Sequence, residues 1–369
     1  MRIGIPRETK SGECRVAVTP SGVRALRDSG AGIVVETGAG TASGFEDREY
    51  RDAGATIVST SPEAWSADLV VKVKEPLSSE YGFLSESSTL FTFLHLAAFP
   101  QLTEELLTRR VTAIAYETVV SCGALPILRP MSEVAGILSI QAGARGLEKG
   151  CGGRGVLLAG TDDFPPGDVT VLGAGVVGRN AARIAAAIGA NVTILDVNPK
   201  KLSEAQGRCG GRARTILSTP EAIAGAVKET DLLVSTVLVA GERAPCLVTR
   251  KMIRSMRPGA VAVDIAIDQG GSLETSRPTT HAAPFFIEEG VVHYCVTNMP
   301  AAVPRTSTQG LMAATLPYLL SFSERGVIGA LRSDEGLLAG LNTFNGHVTC
   351  EGVAKAFGKT FLTAKEAIR

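Results

Sequence analysis

Residues 168–196 limit the possible folds more than any other stretch of this chain. Asp168-Val-Thr-Val-Leu-Gly173-Ala174-Gly175-Val176-Val177-Gly178 carries a short apolar run into a glycine-rich turn. Residues 180–188 continue as an alanine-rich helical pattern, and 192–195 form a second apolar run ending at Asp196. The order is strand, loop, helix, strand and acidic stop, the layout of a dinucleotide-binding βαβ unit. Gly173 permits the tight turn, Gly175 lets backbone approach a pyrophosphate, and Gly178 lets the helix pack on the sheet, with the anion at the helix N-terminus. Asp196 lies roughly 20 residues past the first glycine, where a carboxylate accepts from a ribose 2′-hydroxyl and repels a 2′-phosphate. Glycine spacing alone recurs by chance in a chain with 41 glycines, so the flanking strands and the acid decide. The stretch predicts an NAD site contacted by residues 173–178 and Asp196. Lys200 and Lys201, close behind, are the feature that would suit a 2′-phosphate instead.

At 369 residues and 45% hydrophobic composition the chain has material for two cored domains. Lys plus Arg and Asp plus Glu each count 37, so no net field draws it to nucleic acid or a membrane surface. No apolar run reaches the roughly 18 residues of a membrane span, and the N-terminal segment lacks a long apolar stretch; a cytoplasmic enzyme is expected. Cys14, Cys122, Cys151, Cys209, Cys246, Cys295 and Cys350 are scattered, odd in number and without a Cys-x-x-Cys pair, which reads as reduced thiols. No histidine or carboxylate spacing offers a metal site, so none is expected.

Two series of apolar runs alternate with helix-length segments. The first has strands near residues 3–5, 33–35, 69–71, 90–93 and 112–115; the second begins at Val169 and continues near 192–195, 232–234, 261–265 and 291–295. Past Pro304 the strand series ends and the remaining residues carry helical patterns, among them 316–324 and 348–357. The expected architecture is α/β, with two doubly wound Rossmann-like domains and a cleft between them. Residues 1–128 and 305–369 form a discontinuous substrate and catalytic domain, and 129–304 form the NAD-binding domain.

Doubly wound sheets place ligands outside the carboxyl ends of their strands. Arg15 follows the first strand, Lys74 closes the third in Val70-Val-Lys-Val-Lys74-Glu-Pro76, and His95 closes the fourth in Leu90-Phe-Thr-Phe-Leu-His95. Asp268 follows a strand of the second series in Val263-Asp-Ile-Ala-Ile-Asp268-Gln-Gly-Gly271, with Asp264 as its rival. Each has an ordinary structural alternative: an ion pair for Arg15, a solvated charge for Lys74, a satisfied strand-end histidine for His95, a turn former for Asp268. Together they supply what reductive amination of a keto acid requires: a cation for the carboxylate, a donor for the carbonyl oxygen, a near-neutral acid/base, and an anion for the ammonia step. His281, His293 and His347 lie elsewhere.

At these and further motifs the chain resembles the alanine dehydrogenases, a family that shares its fold with the soluble NAD-binding part of proton-translocating transhydrogenases. The matching residues are Arg2-Ile-Gly-Ile-Pro-Arg-Glu-Thr-Lys10 with Glu13-x-Arg15-Val-Ala-Val-Thr-Pro20, Lys72-Val-Lys-Glu-Pro76, Leu90-Phe-Thr-Phe-Leu-His-Leu96 and Pro130-Met-Ser-Glu-Val-Ala-Gly136. Further on they are Gly152-Gly-Arg-Gly155, Asp264-Ile-Ala-Ile-Asp-Gln-Gly-Gly271, Arg277-Pro-Thr-Thr280, and Asn298-Met-Pro-Ala301 with Val303-Pro-x-Thr-Ser-Thr308.

The resemblance covers essentially the whole chain. It implies an NAD-dependent L-alanine dehydrogenase that converts L-alanine to pyruvate and ammonia, with Arg15 and Lys74 on the substrate carboxylate and carbonyl oxygen, His95 as acid/base and Asp268 assisting the ammonia or water step. It also implies that Ser132, Asp196, Lys201, Ser218, Val237, Leu238, Ile265, Asp268, Asn298, Met299, Pro300 and Ala301 line the NAD site, and that the chain forms a homo-oligomer, as a hexamer. The chain departs from the family pattern in a shortened turn between Thr118 and Leu125, and in Ala313, where an asparagine is common. Two alternatives stay open. One is a dehydrogenase of another small amino or keto acid; the other is a nucleotide-binding subunit without amino-acid chemistry, as in transhydrogenase, or a non-catalytic NAD-sensing module.

Overall fold

A computed structural model describes residues 1–237 and 244–369. The chain divides into two compact units, one made of residues 1–131 with 301–369 and the other of 132–300.

The first unit holds an eight-stranded sheet. Its strands are β1 (Arg2–Ile5), β2 (Gly32–Glu36), β3 (Thr56–Val58), β4 (Leu69–Val71), β5 (Thr89–Thr92) and β6 (Thr112–Ala115). Seven further strands of the other unit, β7 to β13, intervene in the chain before β14 (Leu341–Phe344) and β15 (His347–Val348) complete it. The order across the sheet is β15-β14-β6-β5-β4-β1-β2-β3. Strands β1 to β6 are parallel, and β14 joins β6 antiparallel. Parallel strands are covered on both faces and read as continuous apolar runs. Here Ile3, Ile5, Leu69, Val71, Phe91 and Ile114 pack on one side, and Val70, Leu90, Ala113 and Ala115 belong to a second buried cluster. The chain winds one way through β1, β2 and β3 and the other way through β4, β5 and β6, so β1 and β4 flank the switch point.

The second unit repeats the plan in seven strands: β7 (Asp168–Leu172), β8 (Asn191–Asp196), β9 (Arg214–Leu217), β10 (Leu232–Ser235), β11 (Val261–Asp264), β12 (Phe285–Glu288) and β13 (Val291–Tyr294). Their order is β12-β13-β11-β10-β7-β8-β9, with only β12 antiparallel, and the switch point lies between β7 and β10. Helices Val176–Ala187, Pro199–Arg208 and Pro220–Glu229 supply crossovers. The last two begin with proline at the first helical position behind Asn198 and Thr219, whose side chains accept the orphan N–H groups of the first turn.

The expectation of an all-helical tail is corrected. β14 and β15 form a hairpin, and the helix expected over 348–357 begins only at Glu351. Leu-Asn-Thr-Phe carries its two large apolar residues three apart, which mimics helical spacing, yet Asn342 and Thr343 are buried because hydrogen bonds from Asn342 to Thr118 Oγ1 and from Thr343 to Val111 O satisfy them. The shortened segment near 120 is a two-residue hairpin turn. Ser121 and Ala124 exchange both backbone hydrogen bonds at 2.9 Å across Cys122 and Gly123, which have φ of 49° and 73°. Ala313 is exposed on helix Pro304–Ser333.

Candidate active site

In the first unit the chain leaves β1, β4, β5 and β6 at adjacent points along one edge of the sheet. The loop after β1 carries Glu8, Lys10, Glu13 and Arg15; the exit of β4 carries Lys72, Lys74 and Glu75; the exit of β5 carries His95; and the exit of β6 carries Glu117. Three of the four residues expected to do chemistry, Arg15, Lys74 and His95, therefore stand on neighbouring strand exits around one switch point.

Arg15 is 2% exposed. Glu13 holds its guanidinium bidentately, Nε to Oε1 at 2.7 Å and Nη2 to Oε2 at 2.6 Å, while Nη1 lies 3.0 Å from Met131 Sδ. A buried arginine needs such a counter-ion, and the planar fork fixes its direction. Glu13 is a site residue that sequence reasoning missed; its one signal was the acid two positions before Arg15.

Lys74 is half-buried beside Arg15. Burial pulls its ammonium below the ordinary lysine range, and the charges of Arg15 and Lys10 push the same way against Glu75 and Glu13. Beneath it lies a second buried group of charges. Lys72, 1% exposed, pairs with Glu8 at 3.2 Å and Glu80 at 3.0 Å. Burial opposes the charge on Lys72, but the two glutamates outweigh it and hold the ammonium above its usual range. Lys10 pairs with Glu75.

His95 is an exception to ordinary backbone geometry. It takes the left-handed conformation, φ 48° and ψ 39°, at the start of the short turn Leu96–Ala98. Glu117 stabilises that turn: its carboxylate accepts from the His95 N–H at 2.5 Å and from Leu94 N–H, and lies 3.7 Å from Nδ1. The ring stacks on Phe93, 5.8 Å between centroids and 3° between planes, and is 45% exposed. A proton carrier needs both a partner that orients the ring and access to solvent or substrate.

In the second unit the three glycines differ in what surrounds them. Gly173 has φ 98°, and a side chain there would strike Thr236 Oγ1 at 2.8 Å; a Cβ on Gly178 would lie 1.8 Å from Gly173 O. Around Gly175 there is open space among the described residues, and helix Val176–Ala187 begins there with no side-chain cap. Open space over uncapped N–H groups at a helix start suits a pyrophosphate. Thr236, also missed from sequence, donates to Leu172 O and Gly173 O and supports the loop. Asp196 ends β8 as expected, with Oδ2 accepting from Ala174 N–H at 2.6 Å and Oδ1 from Asn198 N–H at 2.8 Å.

The two aspartates differ in burial and in their partners. Asp264 is fully buried, and its carboxylate accepts from the backbone of Ala266, Ser272 and Leu273 and from the hydroxyls of Ser272 and Ser276. Asp268 is exposed and accepts from Asn298 N–H at 3.3 Å, where Asn298 is left-handed with φ 56°. Ile265 is buried at the start of the turn carrying Asp268. Ser218 lies at the exit of β9, where its N–H bonds Asp196 O, and Val237 follows β10. Lys201 is exposed in the first turn of helix Pro199–Arg208; Ser132 is half-buried; and Met299, Pro300 and Ala301 form the short turn Met299–Ala302. Leu238 lies outside the described residues. Among those described, no group of three or more His, Cys, Asp or Glu could hold a metal ion, and no helix is long and apolar enough to cross a membrane.

The family model for the alanine dehydrogenase/PNT N-terminal domain matches residues 4–135, and that for the C-terminal domain matches 139–351. Over 371 aligned residues, with 100% of both chains covered, the protein is 52% identical to Alanine dehydrogenase 2 of Staphylococcus aureus strain USA300. The chain belongs to the alanine dehydrogenase/PNT family. This family member also matches a solved L-alanine dehydrogenase at a TM-score of 0.94 and 47% identity, over 97% of this chain and 99% of the other. It matches a transhydrogenase from Sinorhizobium meliloti at 0.82 and 25% identity, over 95% and 99%.

Proposed function

We propose that this protein is an NAD-dependent L-alanine dehydrogenase, catalysing reversible oxidative deamination of L-alanine to pyruvate and ammonium. The carrying observation is full-length similarity at 52% identity to an alanine dehydrogenase in a chain that keeps Arg15, Lys74 and His95 at adjacent strand exits. That arrangement also favours a catalyst over a nucleotide-binding subunit without chemistry of its own.

Arg15, fixed by Glu13, binds the substrate carboxylate. Lys74 donates to the substrate oxygen, and the burial and neighbouring cations that lower its proton affinity ease release of that proton. His95 moves the proton as water adds or ammonia leaves, with Glu117 holding its backbone and facing Nδ1. Asp268 is assigned to the ammonia or water step. Residues 173–178 and Asp196 would hold the dinucleotide, aided by Ser132, Lys201, Ser218, Val237, Ile265 and residues 298–301. When bound, the dinucleotide would supply the hydride acceptor for oxidation at the alanine Cα. Asp196 favours NAD over its 2′-phosphorylated form. The reading extends to a cytoplasmic homo-oligomer, a hexamer. Oxidation of NADH by purified protein with pyruvate and ammonium tests the proposal, and a flat 340 nm trace with every small keto acid overturns it.

A further inference from the structure

We infer that Glu8 is a positioning residue for Lys74: its carboxylate captures the backbone N–H groups of Val73 and Lys74 where β4 leaves the sheet, and so fixes where the Lys74 side chain begins. The kinetic readout rests on the proposed function; the labelling readout does not.

β4 pairs with β1 only through Ile3 with Leu69 and Gly4 with Val70. Beyond that point β1 has turned into its loop, while β5 still accompanies the chain through Lys72 N–H to Phe91 O and Phe93 N–H to Val73 O. Val73 N–H donates to Glu8 Oε1 at 2.6 Å and Lys74 N–H to Glu8 Oε2 at 3.4 Å. A side-chain carboxylate thus replaces a missing strand. Lys72 fixes that carboxylate in turn, and Glu80, also bound to Lys72, takes Leu77 N–H at 2.8 Å. The β4 exit, residues 72–77, is therefore clamped at both ends by buried glutamates joined through one lysine. An unpaired backbone N–H is costly in such a buried place.

Glu8 acts through the main chain. The charged groups that act on the Lys74 ammonium are Arg15, Lys10, Glu75 and Glu13, while the buried cluster of Lys72, Glu8 and Glu80 holds the main chain from which it projects. Displacing a catalytic group by about 1 Å can cost roughly 100-fold in rate. Glutamine at position 8 keeps the shape but offers one acceptor oxygen to two N–H donors.

The test is a double-mutant cycle with Glu8→Gln and Lys74→Ala, together with amine labelling of Lys74 across pH, read by mass spectrometry. Glu8→Gln is expected to keep cooperative unfolding and NADH affinity, to lose about 10-fold or more in kcat/KM for pyruvate, and to cost less than about twofold when Lys74 is already alanine. The pH at which Lys74 becomes reactive is expected to shift in Glu8→Gln. Equal losses in both backgrounds, or an unchanged labelling profile in the folded variant, would overturn the inference. If Glu8→Gln does not fold, Glu8→Asp, which keeps a charge for Lys72 on a shorter arm, is judged by the same criteria. A wild type without turnover on keto acids defeats the proposed function, and the labelling profile then decides the role of Glu8 alone.

Discussion

Asp196 meets two demands with one carboxylate. It holds the glycine loop through Ala174 N–H and, on the proposed function, presents its charge at the end of β8 to the ribose of the dinucleotide. Asp196→Gly is therefore expected to raise the relative use of NADPH, helped by Lys200 and Lys201, and also to weaken NADH binding because the loop loses its tether. Fluorescence titration of both reduced cofactors checks this; NADPH used as well as NADH by the wild type would refute the assignment. At His95, general acid/base catalysis is worth roughly 10²- to 10⁴-fold. His95→Ala should lose that much turnover and keep its NADH affinity, since the ring is 45% exposed and rests on Phe93 beside Glu117. Near-normal kcat would return His95 to a structural role. Arg15 has a fixed partner geometry that lysine cannot copy. A hydrogen bond to a charged group is worth about 1.5–3 kcal/mol, so Arg15→Lys should lower kcat/KM for pyruvate by at least about 10-fold, measured by steady-state kinetics.

Among the elements, the glycine loop separates folding from binding. Gly178→Ala would drive a methyl into Gly173 O, so destabilisation of about 3 kcal/mol or more is expected. Gly175→Ala meets nothing among the described residues and should unfold like the wild type while binding NADH far more weakly. Equal effects of the two on denaturant unfolding would show that Gly175 is held by packing and not kept open for a ligand. Elsewhere in that sheet, β13, between β11 and the edge strand β12, carries His293, fully buried, with Nε2 2.8 Å from Thr275 Oγ1 and Nδ1 3.0 Å from Val291 O. Burial pushes its pKa below 6.5, against the pull of the Val291 carbonyl. The fold therefore holds His293 neutral while the unfolded chain protonates it near 6.5. Its contribution to stability is complete above that pH and is lost as pH falls toward the lower folded value. His293→Gln should flatten the loss of stability between pH 7 and 5, compared with the wild type by urea unfolding; identical slopes would assign the pH dependence to other groups.

Over the whole molecule, legibility followed burial. Strands covered on both faces, such as β4, β5 and β10, announced themselves as apolar runs. β3 and β9 lie at sheet edges with partly exposed residues, and Arg-Thr-Ile-Leu offers too short an alternation to separate from loop. β14 was hidden because its polar residues are buried by hydrogen bonds, which composition does not reveal. At the proposed site, the placement of Arg15, Lys74 and His95 on neighbouring strand exits was legible from their strand-end positions, whereas Glu8, Glu13 and Thr236 act on other protein groups and have no pattern of their own. Assembly belongs to this scale as well: the exposed Ala313 and the turn at 121–124 are the places where a hexamer would differ from the family pattern, and light scattering showing a monomer at working concentration would contradict the proposed state.

Substrate choice tests the central claim most directly. Initial rates of NADH oxidation with ammonium should be compared for pyruvate, glyoxylate, 2-oxobutyrate, 2-oxoisovalerate and phenylpyruvate. With the carboxylate held by Arg15, a methyl-sized side chain is expected to give the highest kcat/KM, so pyruvate should lead and phenylpyruvate should be very poor. A clear advantage for 2-oxoisovalerate or phenylpyruvate would contradict the alanine assignment.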